Sequence, residues 1–170
     1  MWLMGLSLVP GAFGCGQEQT WKMVDRMITS DFPKVRQLGT DSLAAWLADT
    51  SRPAPLILDV RKSEEYAVSH LQGAVRVEPG ATDFSFLDSV DSDRPIVAYC
   101  SVGYRSSDLA QKIAEAGYTN VSNLHGSIFR WANEGRPVYR DGEPVKQVHP
   151  YDRIWGVLLN SELRTYEVEE

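Results

Sequence analysis

The chain has 170 residues, 43% hydrophobic and 24% charged, with 17 Lys and Arg against 23 Asp and Glu and a formal net charge of −6. That is about one domain's worth of chain, and the acidic balance excludes a dedicated nucleic-acid binder, which needs clustered Lys and Arg against phosphates. Two cysteines, Cys15 and Cys100, exclude a disulfide-stapled scaffold and a cysteine-based zinc site, and no apolar run reaches the roughly 20 residues that span a bilayer.

Texture divides the chain into 1–16, 17–34, 35–140 and 141–170. The first segment, MWLMGLSLVPGAFGCG, is almost uncharged and apolar. The second is polar and mixed and predicts a helix over 19–30, with Pro33 closing it. The third alternates short apolar runs with amphipathic segments. Four runs, 56–60, 74–77, 96–99 and 121–124, are too short for helices and lack strict alternation, as expected of strands covered on both faces.

Helices are predicted between these strands. Thr40 or Asp41 can cap a helix over 42–48, and Ser63 one over 64–69. Ser106 to Ala116 carries Leu109, Ile113 and Ala116 at helical spacing before Gly117, and a last short helix runs over 126–133. Strands alternating with helices need crossover connections, so the fold class is α/β with a mainly parallel sheet. The tail, 141–170, has its own apolar cluster over 154–159. The sequence holds no internal repeat and no low-complexity tract.

The most informative stretch is Ile96-Val97-Ala98-Tyr99-Cys100-Ser101-Val102-Gly103-Tyr104-Arg105-Ser106-Ser107. A strand runs straight into a cysteine, a six-residue loop follows, and an amphipathic helix begins. Loops at the carboxyl ends of parallel strands carry ligand sites in open α/β sheets. Cys100 there sits at the positive end of a helix dipole with backbone N–H groups turned toward it, and Arg105 adds a fixed charge. All three favour thiolate over thiol, and the thiolate is the nucleophile. Gly103 suits a loop that curls around one sulfur. A cysteine ending a buried strand can also be a plain small hydrophobe, but the constrained glycine- and arginine-bearing loop favours a reactive site.

This stretch resembles the active-site loop of rhodanese-type sulfurtransferases, C-x-x-G-x-R-S. Further family marks stand in order: Leu58-Asp59-Val60-Arg61 with Glu64-Glu65-Tyr66, His70-Leu71-Gln72-Gly73-Ala74, Gly117-Tyr118, and Leu124-His125-Gly126-Ser127 through Trp131. The resemblance covers about 35–140. It implies a rhodanese-like domain with a central, mainly parallel sheet of about five strands flanked by helices. It also implies a chemistry: Cys100 takes a sulfane sulfur from a donor such as thiosulfate, holds it as a persulfide and yields it to a thiophilic acceptor, cyanide in an assay or a thiol in the cell. The backbone N–H groups of Ser101, Val102, Gly103, Tyr104 and Arg105 would cradle the outer sulfur, with Arg105 closing the loop. Four residues between Cys100 and Arg105 suit one sulfur atom, whereas related phosphatases and arsenate reductases use five for a tetrahedral oxyanion. The alternative function is a persulfide carrier or regulatory module that receives sulfur from a protein partner and has little activity on thiosulfate. No metal or organic cofactor is implied.

Around the loop, Asp59 and Arg61 are either a brace for neighbouring loops or a purely structural pair, and Arg61 could also help an anionic donor approach. Ser106 and Ser107 are expected to satisfy orphan backbone donors in the first helical turn. Tyr104 either shapes the site mouth or packs as an ordinary ring. His70 is read as an ordering residue, and His125 and Trp131 as packing. Lys146, His149 and Arg153 could bring positive charge to the mouth; the favoured alternative is a surface strap in which Trp155, Val157, Leu158 and Leu159 pack on the domain. The segment 1–16 resembles an exported-protein leader with a lipidation cysteine at Cys15, although it lacks a basic n-region and Ala12 and Phe13 fit that pattern poorly. Export with lipid anchoring to a membrane through Cys15 therefore stands beside residence in the bacterial cytoplasm.

Overall fold

The computed structural model describes the backbone of residues 14–167 and side chains from Gly16 onward. The leader expected over 1–16 and the lipidation weighed for Cys15 lie outside the described side chains. The described residues open with helix α1 (Gly14–Asp31), longer than its predicted 19–30. Strand β1 (Arg36–Leu38), helix α2 (Thr40–Ala48), strand β2 (Leu56–Asp59), helix α3 (Ser63–Val68) and strand β3 (Val75–Arg76) follow. Strand β4 (Ile96–Tyr99), helix α4 (Tyr104–Glu115), strand β5 (Val121–Leu124) and helix α5 (Ser127–Asn133) complete the alternation.

The five strands form one all-parallel sheet in the order β1-β5-β4-β2-β3. β4 lies at its centre and all four of its residues are buried. Successive strand residues point to opposite faces, and the core divides accordingly. Ile57, Val97, Tyr99 and Leu124 join Trp21, Val24 and Ile28 of α1, Leu43 of α2 and Ile128 and Phe129 of α5. Leu58, Ile96, Ala98 and Cys100 join Leu109, Ala110 and Ile113 of α4 on the other face. Each large side chain fully buried in this way contributes about 1.5–3 kcal/mol. This is the α/β class with a parallel sheet that the alternation of runs predicted, and its five strands flanked by helices are those the resemblance implied.

Several local expectations are corrected. β1 lay in no predicted strand: Arg36 and Gln37 are exposed, and only pairing with β5 makes the segment extended. β3 is shorter than the run over 74–77. Neither Thr40 nor Asp41 caps α2, whose N-cap is Gly39; the Asp41 carboxylate instead pairs with Arg136. Ser63 lies inside α3, and the backbone N–H of the N-cap residue Lys62 donates to the Glu65 carboxylate at 3.1 Å. α4 begins at Tyr104 rather than Ser106 because Gly103 makes the turn at φ +116°.

Beyond α5, strands β6 (Val138–Arg140) and β7 (Glu143–Val145) form an antiparallel hairpin across the texture boundary at 140. Its turn residues Asp141 and Gly142 both have positive φ, which matches the right-handed twist of the flanking strands. An isolated bridge between His70 and Tyr139 ties the hairpin to the domain. The chain then returns across α1 and α5. Val148, Leu158 and Leu159 are wholly buried, Gln17 donates to the carbonyls of Val157 and Leu158, and Asn133 exchanges hydrogen bonds with Leu158 and Asn160 at 2.8 Å each. Among the described residues no helix is long and apolar enough to cross a membrane.

Candidate active site

Because β2 and β4 run parallel with Asp59 opposite Tyr99, Asp59 and Cys100 emerge at the same carboxyl edge of the sheet, where α/β domains place their ligands. Cys100 follows β4 directly and is 1% exposed. Three residues later Gly103 turns the chain into α4, and its N–H donates to Cys100 Sγ at 3.2 Å. A side chain at Gly103 is disfavoured twice over: its φ of +116° is strained for any other residue, and a Cβ would sit tightly, 3.2 Å from both Asn123 Nδ2 and Ile28 Cδ1.

The loop is also held from behind. The Cys100 N–H donates to Ser127 Oγ at 3.1 Å, and the carbonyls of Cys100 and Ser101 accept the N–H groups of Ile128 and Phe129. Gly126 and Ser127 both adopt positive φ at the start of α5, which brings that first turn against the loop. Ser106 sits in the first turn as expected, but its hydroxyl donates to Asn123 Oδ1 at 2.6 Å instead of accepting an orphan backbone N–H. Ser107 bonds back to the Gly103 carbonyl.

Burial alone pushes the Cys100 thiol up, but the Arg105 charge and the Ser106 and Gly103 N–H groups together hold it below its ordinary value. The net shift is toward the thiolate form. Arg105 is itself fixed. Its two terminal nitrogens each lie 2.8 Å from an oxygen of Glu65, and one also reaches Ser101 Oγ at 3.0 Å. The Ser101 hydroxyl in turn donates to Glu65 at 2.9 Å.

Glu65 is 1% exposed. Burial pushes its carboxyl up, and the hydrogen bonds and charge of Arg105, aided by the Lys62 N–H, more than reverse this and hold it below the usual carboxylate range. A depressed carboxyl contributes stability above its unfolded value near pH 4.3 and loses it as pH falls through the folded value. Removing Arg105 alone would strand this buried carboxylate, so the informative variant is the pair Glu65→Gln/Arg105→Met. Its Cys100 thiol is expected to titrate at higher pH than the wild type's, since the main favourable charge has gone. Alkylation rate against pH checks this: the acid limb should move toward alkaline pH, with severalfold slower alkylation at neutral pH. An unmoved limb would show that Arg105 does not tune the sulfur.

Behind the loop lies a second, wholly buried network. Asp59 and Arg61 are both 0% exposed. The Arg61 Nη2 lies 2.7 Å from Asp59 Oδ2 and 2.6 Å from the Ser69 carbonyl, while the Tyr99 hydroxyl donates to Asp59 at 2.5 Å and accepts the Leu71 N–H. The pair is thus a brace between β2, β4 and the segment before β3. Arg61 does not meet an incoming donor, which corrects that expectation.

Above the sulfur is a pocket of about 240 Å³ whose walls include Cys100, Ser101, Val102, Tyr104 and Arg105. Three further lining residues, Met27, Tyr151 and Trp155, come from α1 and the tail. Tyr104 shapes the mouth and is itself packed: its ring stands edge-on to Phe32 with centroids 5.1 Å apart, and its hydroxyl donates to Asp31 at 2.9 Å. Lys146 and Arg153 are exposed and line no part of the pocket. His149 is buried, and burial holds its pKa below the usual imidazole value. His70 stacks on Tyr66 and His125 pairs with Asp25; neither reaches Cys100.

Sequence signals missed Glu65 as a partner of the loop, although it stood in a quoted motif, and missed Ser127, Met27, Tyr151 and Trp155. The first two had a motif to flag them. The last three had no local signal. Among the described residues no group of His, Cys, Asp and Glu is arranged to hold a metal ion.

The model of the rhodanese-like domain family matches residues 40–134. A sulfurtransferase of Allochromatium vinosum is 31% identical over 104 residues, which are 61% of this chain and 94% of that protein. A thiosulfate sulfurtransferase of Actinobacillus succinogenes is 34% identical over 83 residues, 49% of this chain and 74% of that one. Among solved structures, a rhodanese-like domain from an Anabaena species superposes with a TM-score of 0.55 at 27% identity, covering 61% of this chain and 78% of that one.

Proposed function

This chain belongs to the rhodanese-like domain family, and from that premise and the geometry around Cys100 we propose that it is a sulfurtransferase working through a persulfide on Cys100. The Cys100 thiolate attacks the outer sulfur of a sulfane donor such as thiosulfate. A new sulfur–sulfur bond forms, the donor's own sulfur–sulfur bond breaks, and sulfite leaves with the electron pair. Cyanide or a thiolate then attacks the terminal sulfur, giving thiocyanate or a new persulfide and restoring the thiolate. No proton changes hands in the thiosulfate and cyanide half-reactions, so no general base is needed once the thiolate has formed.

The observation that carries this reading is the Gly103 N–H directed at Cys100 Sγ at 3.2 Å, at the N-terminus of α4 and at the floor of the pocket. The dipole and the loop's N–H groups favour negative charge on the sulfur both as thiolate and as persulfide, and the pocket leaves room for the second sulfur. The donor class is supported by the likeness to a thiosulfate sulfurtransferase.

The test is intact-protein mass measurement after exposure to thiosulfate. One added sulfur on the peptide bearing Cys100, discharged by cyanide with release of thiocyanate, is the expected result. Absence of any adduct and of thiocyanate formation would sink the reading. An adduct formed only from a persulfidated protein donor, with no thiosulfate turnover, would favour the carrier module instead.

A further inference from the structure

Resting on the persulfide reading, we propose that the pocket selects singly charged sulfane-sulfur donors bearing an apolar group over doubly charged thiosulfate, and that Met27, Tyr151 and Trp155 determine this specificity. The first support is the charge inventory. Among the described residues Arg105 is the one charged side chain lining the pocket, and both of its terminal nitrogens are engaged by the buried Glu65. The pair is neutral as a unit, and the remaining charge at the floor is the thiolate itself. A dianion therefore approaches a negative sulfur with no unpaired cation in the wall, where a monoanion carries half the repulsion.

The second support is the composition of the wall. Val102, Tyr104, Tyr151, Trp155 and Met27 present aliphatic, aromatic and thioether surface, which suits a hydrocarbon or aryl substituent. Its volume, about 240 Å³, exceeds what a single transferred sulfur occupies.

The third is how firmly that wall is built. Tyr151 adopts φ +66°, a costly conformation for a bulky side chain, and its ring lies 4.6 Å from the Arg105 guanidinium carbon. Asp152 Oδ1 accepts the N–H groups of both Ile154 and Trp155 at 2.8 Å, and the next residues anchor in the core through Leu158 and Leu159. Met27, Tyr151 and Trp155 all lie outside residues 40–134, the segment the family model matches.

Thiosulfonates provide the matching chemistry. The thiolate attacks the terminal sulfur of R–SO2–S⁻, the Cys100 persulfide forms, and the sulfinate R–SO2⁻ leaves with the electron pair of the broken sulfur–sulfur bond. The experiment compares kcat/KM for thiosulfate, methanethiosulfonate and benzenethiosulfonate with cyanide as common acceptor, in the full chain and in two variants. Trp155→Ala is expected to lower the preference for the benzene over the methane donor about tenfold, the discrimination that one apolar contact supports. Met27→Lys, on the half-buried face of α1, places a cation in the wall and should raise thiosulfate relative to methanethiosulfonate by a similar factor. Ratios within twofold of wild type in both variants would overturn the specificity proposal while leaving the persulfide intact. Failure of all three donors to sulfurate Cys100 would overturn the underlying reading, and the specificity with it.

Discussion

Cys100→Ala is expected to abolish thiosulfate-to-cyanide turnover, by a factor of about 10³ or more, as loss of a covalent nucleophile does, while the protein stays folded. The loop does not depend on the sulfur for its shape. The Cys100 N–H is held by Ser127 Oγ and its carbonyl by the Ile128 N–H, and both survive in alanine. Lost are one small buried atom and the acceptor of the Gly103 N–H, so unfolding free energy should stay within about 2 kcal/mol of wild type. Cys100→Ser controls for shape, since a hydroxyl fills nearly the same space but ionises far less readily than a thiol. Steady-state thiocyanate formation, read beside urea unfolding of the same samples, decides the matter. More than a tenth of wild-type turnover in either variant would remove Cys100 from the chemistry.

The second large effect is on stability. Asp59→Asn should cost about 3–5 kcal/mol of unfolding free energy, the range for leaving one partner of a buried ion pair uncompensated. Asparagine keeps the volume but removes the charge facing the Arg61 guanidinium, a fully buried group with Nη1 already lacking a partner among the described residues. Burial pushes Arg61 toward neutrality, and Asp59 is the main influence that reverses this and holds it above its ordinary range. The Tyr99 hydroxyl, whose pKa burial and Asp59 push well up, loses a charged acceptor as well. Pairing the change with Arg61→Met should recover most of the loss, because an apolar replacement of both partners removes the stranded charge. Chemical denaturation of the single and double variants measures this. A single variant within about 1 kcal/mol of wild type would mean the charge is relieved elsewhere.

The geometry of the Cys100 loop was legible because it is local in the chain. Cys100, Gly103 and Arg105 stand within six residues between a run of four apolar residues and an amphipathic helix, and strand, turn and helix dipole follow from those residues alone. The same holds for β2 and β4, whose apolar residues bury on both faces of the sheet. Glu65 illustrates the limit. It sits 40 positions from Arg105, beside an equally acidic Glu64, and the side of α3 that each faces is set by how that helix packs. Glu65 became a buried partner of the loop and Glu64 an exposed residue.

What the sequence determined by itself is the alternation that yields a parallel sheet and the loop that turns at Gly103 and brings its N–H to Cys100 Sγ, since each follows from residues close together in the chain. Tertiary structure alone decided the pocket. Met27 precedes the matched domain and Tyr151 and Trp155 follow it, and no periodicity brings such distant residues to one place. They meet over Cys100 because the tail buries Val148, Leu158 and Leu159 against α1 and α5, and that burial fixes what lies above the sulfur.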